Sequence, residues 1–268
     1  MISLQRAQFP SSKDELVGAI DQALRRYIRK SGPIVSARSR VFPYFDELAI
    51  NLDGAELEPA PLPLAALKGE TKPACEAAIL RLGGRGFSLH GAPLNLRAEA
   101  RDVVFHHGVD AEGHAVLVIH KVRDGSAVIS AAQTDLEQAI AEIIKIEARK
   151  RGITVEQVRL SMRARGSRSV AIEVRLQARK FLLRANIEVS AQIDMNEKFV
   201  AKILNLKCKG DGALSSVVCG AVDPHLRQLD GRTFALLSFP LGEAEVRDIR
   251  IAVADTVEFS ADFGTAVG

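Results

Sequence analysis

Apolar and polar residues alternate strictly over one long stretch of the chain, "KFLLRANIEVSAQID" at residues 180–194. Every second residue from Phe181 to Ile193 is apolar, and the residues between them are polar after Leu182. This alternation predicts a β-strand with one apolar and one polar face. Because strands usually run about 5–6 residues, the length of this one raises the question of what its apolar face covers.

Most of the remaining chain also alternates. Strands are predicted before the middle of the chain at 94–105, 114–122 and 126–132, around the turns "DAEG" and "RDG", and after it at 154–165, 169–178, 198–210 and 245–264. Strands with one polar face are typical of antiparallel sheets. The glycine-rich stretch "GGRGFSLHG" at 83–91 predicts a hairpin or a bulge.

Two longer helices are predicted by capping boxes at Ser12–Glu15 and Thr134–Glu137. Apolar residues at helical spacing follow each box, and Gly32 and Gly152 end the two patterns. A third, short helix is predicted at 216–229. The boxes lie 122 residues apart and the glycines 120, which indicates a plan of helix and strands that occurs twice.

These elements predict an α+β fold, in which a long, strongly curved antiparallel sheet wraps around two long helices as a half-pipe. The chain is interpreted as one domain, 1–268, built from two related halves, about 1–130 and 131–268. Aromatic residues make up only 5% of the sequence, so the groove inside the half-pipe is aliphatic. The predicted groove lining is Leu16, Ile20, Leu24, Tyr27, Ile140, Ile144, Ile172, Val174, Leu176, Phe181, Leu183, Ile187, Val189, Ile193, Ile249 and Ile251.

Charge is unevenly distributed along the chain. Residues 149–184 hold eleven basic side chains against two acidic ones, and residues 243–262 hold six acidic side chains against two arginines. The basic stretch is interpreted either as a solvated face or as a surface for anionic lipid headgroups. Nucleic acid ranks last as a partner because base-stacking aromatics are scarce. The predicted headgroup contacts are Arg163, Arg165, Arg168, Lys180 and Arg184.

Motifs for catalysis, for metal binding and for cofactor binding are missing from the sequence. Four histidines flank the "DAEG" turn, and they are interpreted as solvent-facing rather than as metal ligands: His106, His107, His114 and His120. Asp223 and His225 form a weak candidate acid–base pair without a nucleophile. The chain is therefore predicted not to be an enzyme and to need no cofactor.

The cysteines Cys75, Cys208 and Cys219 form no legible disulfide framework. A reducing compartment fits this set, and one disulfide stays open as an alternative. The sequence has neither a signal-peptide core nor an apolar run long enough to span a membrane. This predicts a cytoplasmic protein, in transient contact with membranes, if Met1 is the natural start; a trimmed start would leave export open.

Three stretches resemble the bacterial LmeA-like phospholipid-binding family of the tubular lipid-binding (TULIP) superfamily. They are "GSAVISAAQTDLEQAI", "RANIEVSAQIDMNEKFVAKILNLKCKGDG" and "RTFALLSFPLGEAEVRDIRIAVADTVEFSAD". The resemblance spans roughly residues 12–263, through pattern more than identity. It implies an apolar groove between helix and curved sheet that holds acyl chains, and it implies no catalytic residues.

Pattern and resemblance together predict non-enzymatic binding, and intermembrane transfer, of phospholipids or other acyl-chain lipids. The alternative is an assembly module whose core is closed and which forms homodimers or larger oligomers through sheet edges. A lipid hydrolase acting through His225 is a third and much weaker hypothesis.

Overall fold

The computed structural model describes residues 1–58, 67–89, 91–181, 183–196, 200–235 and 243–265. Within these ranges, the side chains at 213, 214, 217, 221, 222, 224, 225, 234 and 235 are not described. The Leu/Pro part of the third family-like stretch, 236–242, lies outside the described residues.

The chain divides into two compact units. The first unit comprises 1–129, 239–248 and 260–268, and the second comprises 130–238 and 249–259. Strands β9, β15 and β16, whose bounds are given below, have residues in both units. An origin of the two predicted halves in duplication stays a prediction.

The first half of the chain is mostly strand. Its elements, in chain order, are β1 Ile2–Ser3, α1 Lys13–Leu24, β2 Ile28–Arg29, β3 Val35–Arg38, β4 Tyr44–Phe45, β5 Glu47–Asn51, β6 Glu56–Leu57, β7 Leu67–Leu89, β8 Ala92–Asp110 and β9 Ala115–Ala132. The second half continues with α2 Gln133–Arg149, β10 Thr154–Gly166, β11 Ser169–Lys180, β12 Leu183–Met195, β13 Val200–Asp211, α3 Ala213–Leu229, β14 Thr233–Ala235, β15 Glu245–Val253 and β16 Thr256–Gly264.

The strands form two sheets. The first has eleven strands with the main order β15-β16-β9-β8-β7-β5-β3, and its long strands β7 and β8 pair antiparallel. The second has five strands in the order β10-β11-β12-β13-β14, each antiparallel to its neighbours. The antiparallel pairing that the alternation predicted therefore holds for the second sheet and for the β7–β8 pair, whereas the short strands β4, β5 and β6 pair parallel with β7.

The predicted α+β half-pipe is wrong. The described structure is 62% strand and 17% helix, with two sheets in place of one curved sheet. Helices α1 and α2 belong to different units, and α1 contacts β1 and β3 while α2 contacts β10. Amphipathic periodicity identified both helices, but it carries no information about which sheet a helix packs against.

Helix α1 confirms Ser12 as the N-cap, although the carboxylate of Glu15 accepts from the backbone N–H of Ser11 instead of Ser12, at 2.9 Å. The hydroxyl of Ser12 accepts a hydrogen bond from the backbone N–H of Glu15, at 3.3 Å. The helix ends at Leu24, well before Gly32, because Ile28 and Arg29 pair as strand β2 with β6. Tyr27, which the helical stripe included, follows the helix.

Helix α2 lies where it was predicted, but its capping box is wrong. The N-cap is Ala132, which offers no side-chain acceptor. The carboxylate of Glu137 accepts instead from the backbone N–H of Leu160 on β10, at 2.7 Å. Tertiary pairing has therefore replaced the local cap. The third predicted helix is confirmed as α3, which starts a few residues earlier.

The segments "GGRGFSLHG" and "RDG" were predicted as a hairpin or bulge and as a turn, and only the first prediction is confirmed. The register of β7 against β8 shifts between Gly84 and Phe87, which confirms the bulge. The "RDG" segment runs straight through β9. A Cβ at Gly125 would collide with the ring of Phe263, so this glycine permits close packing and does not turn the chain.

Candidate functional site

One side of the second sheet carries apolar residues in every cross-strand row, and we call it the apolar face. Alternation on each strand and antiparallel register together align these residues. The four rows are Ala164–Val170–Ile193–Ile203, Met162–Ile172–Ala191, Leu160–Val174–Val189–Cys208 and Val158–Leu176–Ile187–Gly210.

Burial is uneven across the apolar face. Val170 and Ile187 are buried, at 0% and 3% exposure, and Leu160 on the edge strand is buried as well. The side chains along the middle of the face keep an intermediate exposure: Ile172, Val174, Leu176, Val189, Ala191 and Ile193. From Val170 to Leu176 the face runs for about 20 Å, at about 3.3 Å per residue.

Helix α3 covers one part of this face. Val218 and Cys219 pack against a small core of Ala185 and Ile187. A disulfide between Cys208 on β13 and Cys219 fastens the helix to the sheet, with a Cα–Cα distance of 5.6 Å. A covalent link thus holds the cover in place.

Helix α2 lies along the backbone edge of β10. Gln133 donates from its side-chain amide to the carbonyl of Leu160 at 3.3 Å, and Glu137 accepts from the N–H of the same residue. Both open groups of this edge residue are therefore satisfied by the helix. On α2, Ile143 of the predicted helical stripe remains 48% exposed, so the stripe is only partly covered, and Ile146 outside the stripe is 51% exposed.

The opposite, polar face of the second sheet holds two hollows of about 450 and 470 Å³. Arg175 spans the first hollow and pairs with Glu173 at 2.5 Å and with Glu188 at 3.1 Å. Near the other end of this face, hydrogen bonds from Ser169 and Gln192 lower the pKa of Asp194. These charges neutralise one another across the strands, which indicates a solvated face rather than a reaction centre.

The turn between β11 and β12 interrupts the long alternating stretch. Lys180 pairs with Leu183, so the turn consists of Phe181 and one further residue. Phe181 is 87% exposed and Leu183 is 50% exposed. Of the predicted groove residues, these two lie at the end of the sheet and not over its middle.

The remaining predicted groove residues fall into three groups. The β11 and β12 members lie together on the apolar face, and Ile140 and Ile144 are half-buried on α2 beside it. Ile249 and Ile251 are buried on β15 of the first sheet. The third group, on α1 and just after it, belongs to the first unit. Leu16 and Ile20 are buried, and Leu24 and Tyr27 have intermediate exposure.

The five predicted headgroup contacts do not form one patch. Arg163, Arg165 and Arg168 lie at the β10–β11 end of the sheet, whereas Lys180 and Arg184 flank the β11–β12 turn. The two groups sit at opposite ends of β11, about 40 Å apart along the strand. The second group adjoins Phe181 and Leu183, which are 87% and 50% exposed.

The histidines near the "DAEG" turn contact other side chains of the first unit. The rings of His106 and His120 stack with centroids 3.8 Å apart, and burial together with the charge of His120 lowers the pKa of His106. His114 lies 3.7 Å from a carboxylate oxygen of Asp110. Among the described residues, no group of histidine, cysteine, aspartate and glutamate side chains is arranged to hold a metal ion.

The candidate acid–base pair gains no support. Asp223 forms an ion pair with Arg227 one helical turn along α3, at 2.7 Å. The side chain of His225 lies outside the described residues.

Sequence reasoning missed the disulfide and most of α3 as parts of this site. Cys208 lies in the apolar phase of β13, and Cys219 lies on the helix that follows. A cysteine in the apolar phase of a strand, followed closely by one on an adjacent helix, is the signal that could have favoured the disulfide that was left open.

Comparison with known proteins returns no match to this chain, whether with protein-family models, with curated proteins or with solved structures. The resemblance to the LmeA-like family therefore stays a prediction. Within the described part of the chain, no helix is both long and apolar enough to cross a bilayer.

Proposed function

We propose that this protein binds lipids without catalysis and holds an acyl chain on the apolar face of its second sheet. The observation that carries the proposal is the band of aliphatic side chains along the middle of the face, which keep an intermediate exposure beside α2 and α3. Leu176 and Val189 mark the end of the band that packs against the small core under α3. A compact domain buries the centre of such rows, as the first sheet does at Val103, Val116 and Val122.

The dimensions and chemistry of the face suit an acyl chain. Its length of about 20 Å exceeds the depth of one bilayer leaflet, which is about half of the roughly 30 Å hydrocarbon core. Each buried methylene group contributes about 0.8 kcal/mol. Since the lining is aliphatic, the affinity depends on the apolar tail rather than on the headgroup, and transfer between membranes would follow from reversible binding.

The assembly alternative has less support. Oligomerisation through a sheet edge needs open backbone groups, and on the edge strand β10 those of the central residue Leu160 are already satisfied by α2. At the other edge of this sheet, β14 is only three residues long.

The disulfide changes the cellular compartment that we propose for the protein. Disulfides persist in oxidising compartments and are rare in the cytosol. Cys208–Cys219 therefore favours an exported protein over the cytoplasmic one that the cysteine count favoured.

Lipid extraction tests the proposal. We expect mass spectrometry of an organic extract of the purified protein to detect acyl lipids, and a fluorescent fatty-acyl probe to displace them. Val174→Asp, in the middle of the face, should lower probe affinity at least tenfold. The matched control Gln177→Asp adds the same charge to the exposed polar face of β11 and should leave affinity unchanged.

A second variant guards against loss of folding. Ala191→Phe adds apolar bulk to the half-exposed band and should lower probe affinity while the circular dichroism spectrum is retained. If no lipid is extracted and the probe neither binds nor exchanges, the proposal is wrong.

A further inference from the structure

The β11–β12 turn breaks the rules that usually govern hairpin turns. Two-residue turns favour glycine or asparagine, because the backbone there takes positive φ. Here Phe181 adopts φ +55°, a conformation that is unusual for a bulky side chain. It is also 87% exposed, so little of its ring is covered within the described structure. Strain combined with exposure of a large apolar group points to a role outside the fold.

Basic side chains surround this turn. Lys180 and Arg184 flank it directly. The pairing of Thr154 with Arg179 places the C-terminal end of α2 at the same end of the sheet. That end of α2 adds three exposed cations, Arg149, Lys150 and Arg151. We call this group of residues the basic tip: the cations Arg149, Lys150, Arg151, Arg179, Lys180 and Arg184, and the apolar Phe181 and Leu183.

Acidic side chains neutralise only part of the basic tip. Glu156 pairs with Arg179 at 3.4 Å, and Glu147 pairs with Lys150 at 2.6 Å. Asp211, exposed on β13 opposite Asn186, adds a third carboxylate at this end. Lys180, Arg184, Arg149 and Arg151 still leave the tip net positive at neutral pH.

We propose that the basic tip docks the protein on anionic lipid bilayers, with the ring of Phe181 inserted at the interface and the cations contacting headgroups. Apolar side chains framed by lysine and arginine are typical of interfacial membrane contacts. The exposed apolar area of one phenylalanine and one leucine is far below the roughly 800 Å² per partner of a stable protein interface. The tip therefore matches a fluid, negatively charged surface better than a protein surface. This inference rests on the proposed function, because docking places the apolar face next to a source of lipid.

The absence of tryptophan from the sequence makes a direct test simple. Phe181→Trp introduces a single fluorophore at the tip. We expect its emission to shift to the blue on adding vesicles that contain phosphatidylglycerol, and to be quenched by brominated acyl chains. The matched control, Tyr44→Trp at a 59% exposed site of the first unit, should show neither effect. Unshifted emission at the tip, or an equal shift at the control site, overturns the proposal.

Vesicle co-sedimentation tests the charges. Lys180→Gln with Arg184→Gln should weaken binding to phosphatidylglycerol vesicles about thirtyfold, at about 1 kcal/mol for each cation. The control Arg26→Gln with Arg40→Gln removes the same charge from exposed sites of the first unit and should have little effect. Equal binding to phosphatidylcholine alone, or tighter binding to an RNA oligonucleotide than to vesicles at the same salt, contradicts membrane docking.

The extraction experiment separates this inference from the proposed function. If the protein carries lipid but Phe181→Trp shows no emission shift, the proposed function stands and the docking proposal is wrong. If the protein docks on vesicles but no lipid is ever extracted from it, the docking proposal stands and the proposed function is wrong.

Discussion

The first and second sheets are built from the same alternation, yet their apolar sides are covered to different extents. In the first sheet, Val103, Val116 and Val122 are at most 1% exposed. In the second, Val170 is as fully buried, but Val174 and Val189 on the same apolar face keep an intermediate exposure. The difference lies in what covers the strands, since α2 bonds to an edge and α3 is fastened over one part of the face. Alternation alone therefore does not separate a core from a binding surface.

The largest effect on this comparison is expected from the disulfide. Cys208→Ser with Cys219→Ser opens a loop with a sequence separation of 11 residues. Loop-closure entropy predicts a loss of about 3 kcal/mol in the free energy of unfolding. Hydrogen exchange measured at increasing urea concentrations should show that the loss of stability is confined to the second unit. A reducing agent should cause the same loss of stability in the unsubstituted protein and no further loss in the variant. If the urea midpoint of the variant is unchanged, the disulfide does not stabilise the second unit.

A matched pair of valine truncations measures the difference in packing. Val103→Ala, at a fully buried site, should lower the free energy of unfolding by about 2–3 kcal/mol. Val174→Ala, at a half-exposed site, should cost about 1 kcal/mol or less in lipid-free protein. Equal losses in urea denaturation would show that the second face is as closed as the first.

The edge contact of α2 is expected to contribute less. Glu137→Ala leaves the backbone N–H of Leu160 without its acceptor, which should cost about 1–2 kcal/mol. Amide hydrogen exchange at Leu160 should accelerate. Glu142→Ala, at an exposed position of the same helix, is the control and should leave this amide unchanged; equal acceleration in both variants would count against the edge contact.

The smallest effect concerns pH and the first unit. Burial lowers the pKa values of His106 and His107 from the usual 6.5, with help from His120 and Lys72 respectively. The unfolded chain therefore binds more protons than the folded one below about pH 6.5. The free energy of unfolding should be flat above this pH and fall as the pH decreases through it. His106→Asn with His107→Asn should flatten the profile, and a variant with the unaltered slope would assign the pH dependence to other groups.

The helices, and the strands from β8 onward except β14, could be predicted because local signals specify them, whereas the long β7 and the short β1–β6 were missed. Ser12 caps α1 as expected, and the strands of the second sheet follow the alternation closely. Other features depend on distant partners. Glu137 has the spacing of a cap but bonds to β10, and Gly125 has the context of a turn but accommodates Phe263.

The candidate site was predictable in composition but not in arrangement. The alternating phase runs unbroken through Phe181, because a two-residue turn without glycine or asparagine leaves no mark in the pattern. The sequence therefore could not show that Phe181 lies at the tip of a hairpin and Val189 on the apolar face. Nor could it assign α1 to a different unit from that face, since helical periodicity does not specify a partner.

Photo-crosslinking tests the central claim most directly. A phospholipid with a photoactivatable group in its acyl chain would be bound, irradiated and mapped by peptide mass spectrometry. We predict labelled residues at 172–176 on β11 and at 189–193 on β12, and their loss in Ala191→Phe. Labelling confined to β7–β9 of the first sheet, or no labelling above that of a denatured sample, would contradict an acyl-chain site on the second sheet.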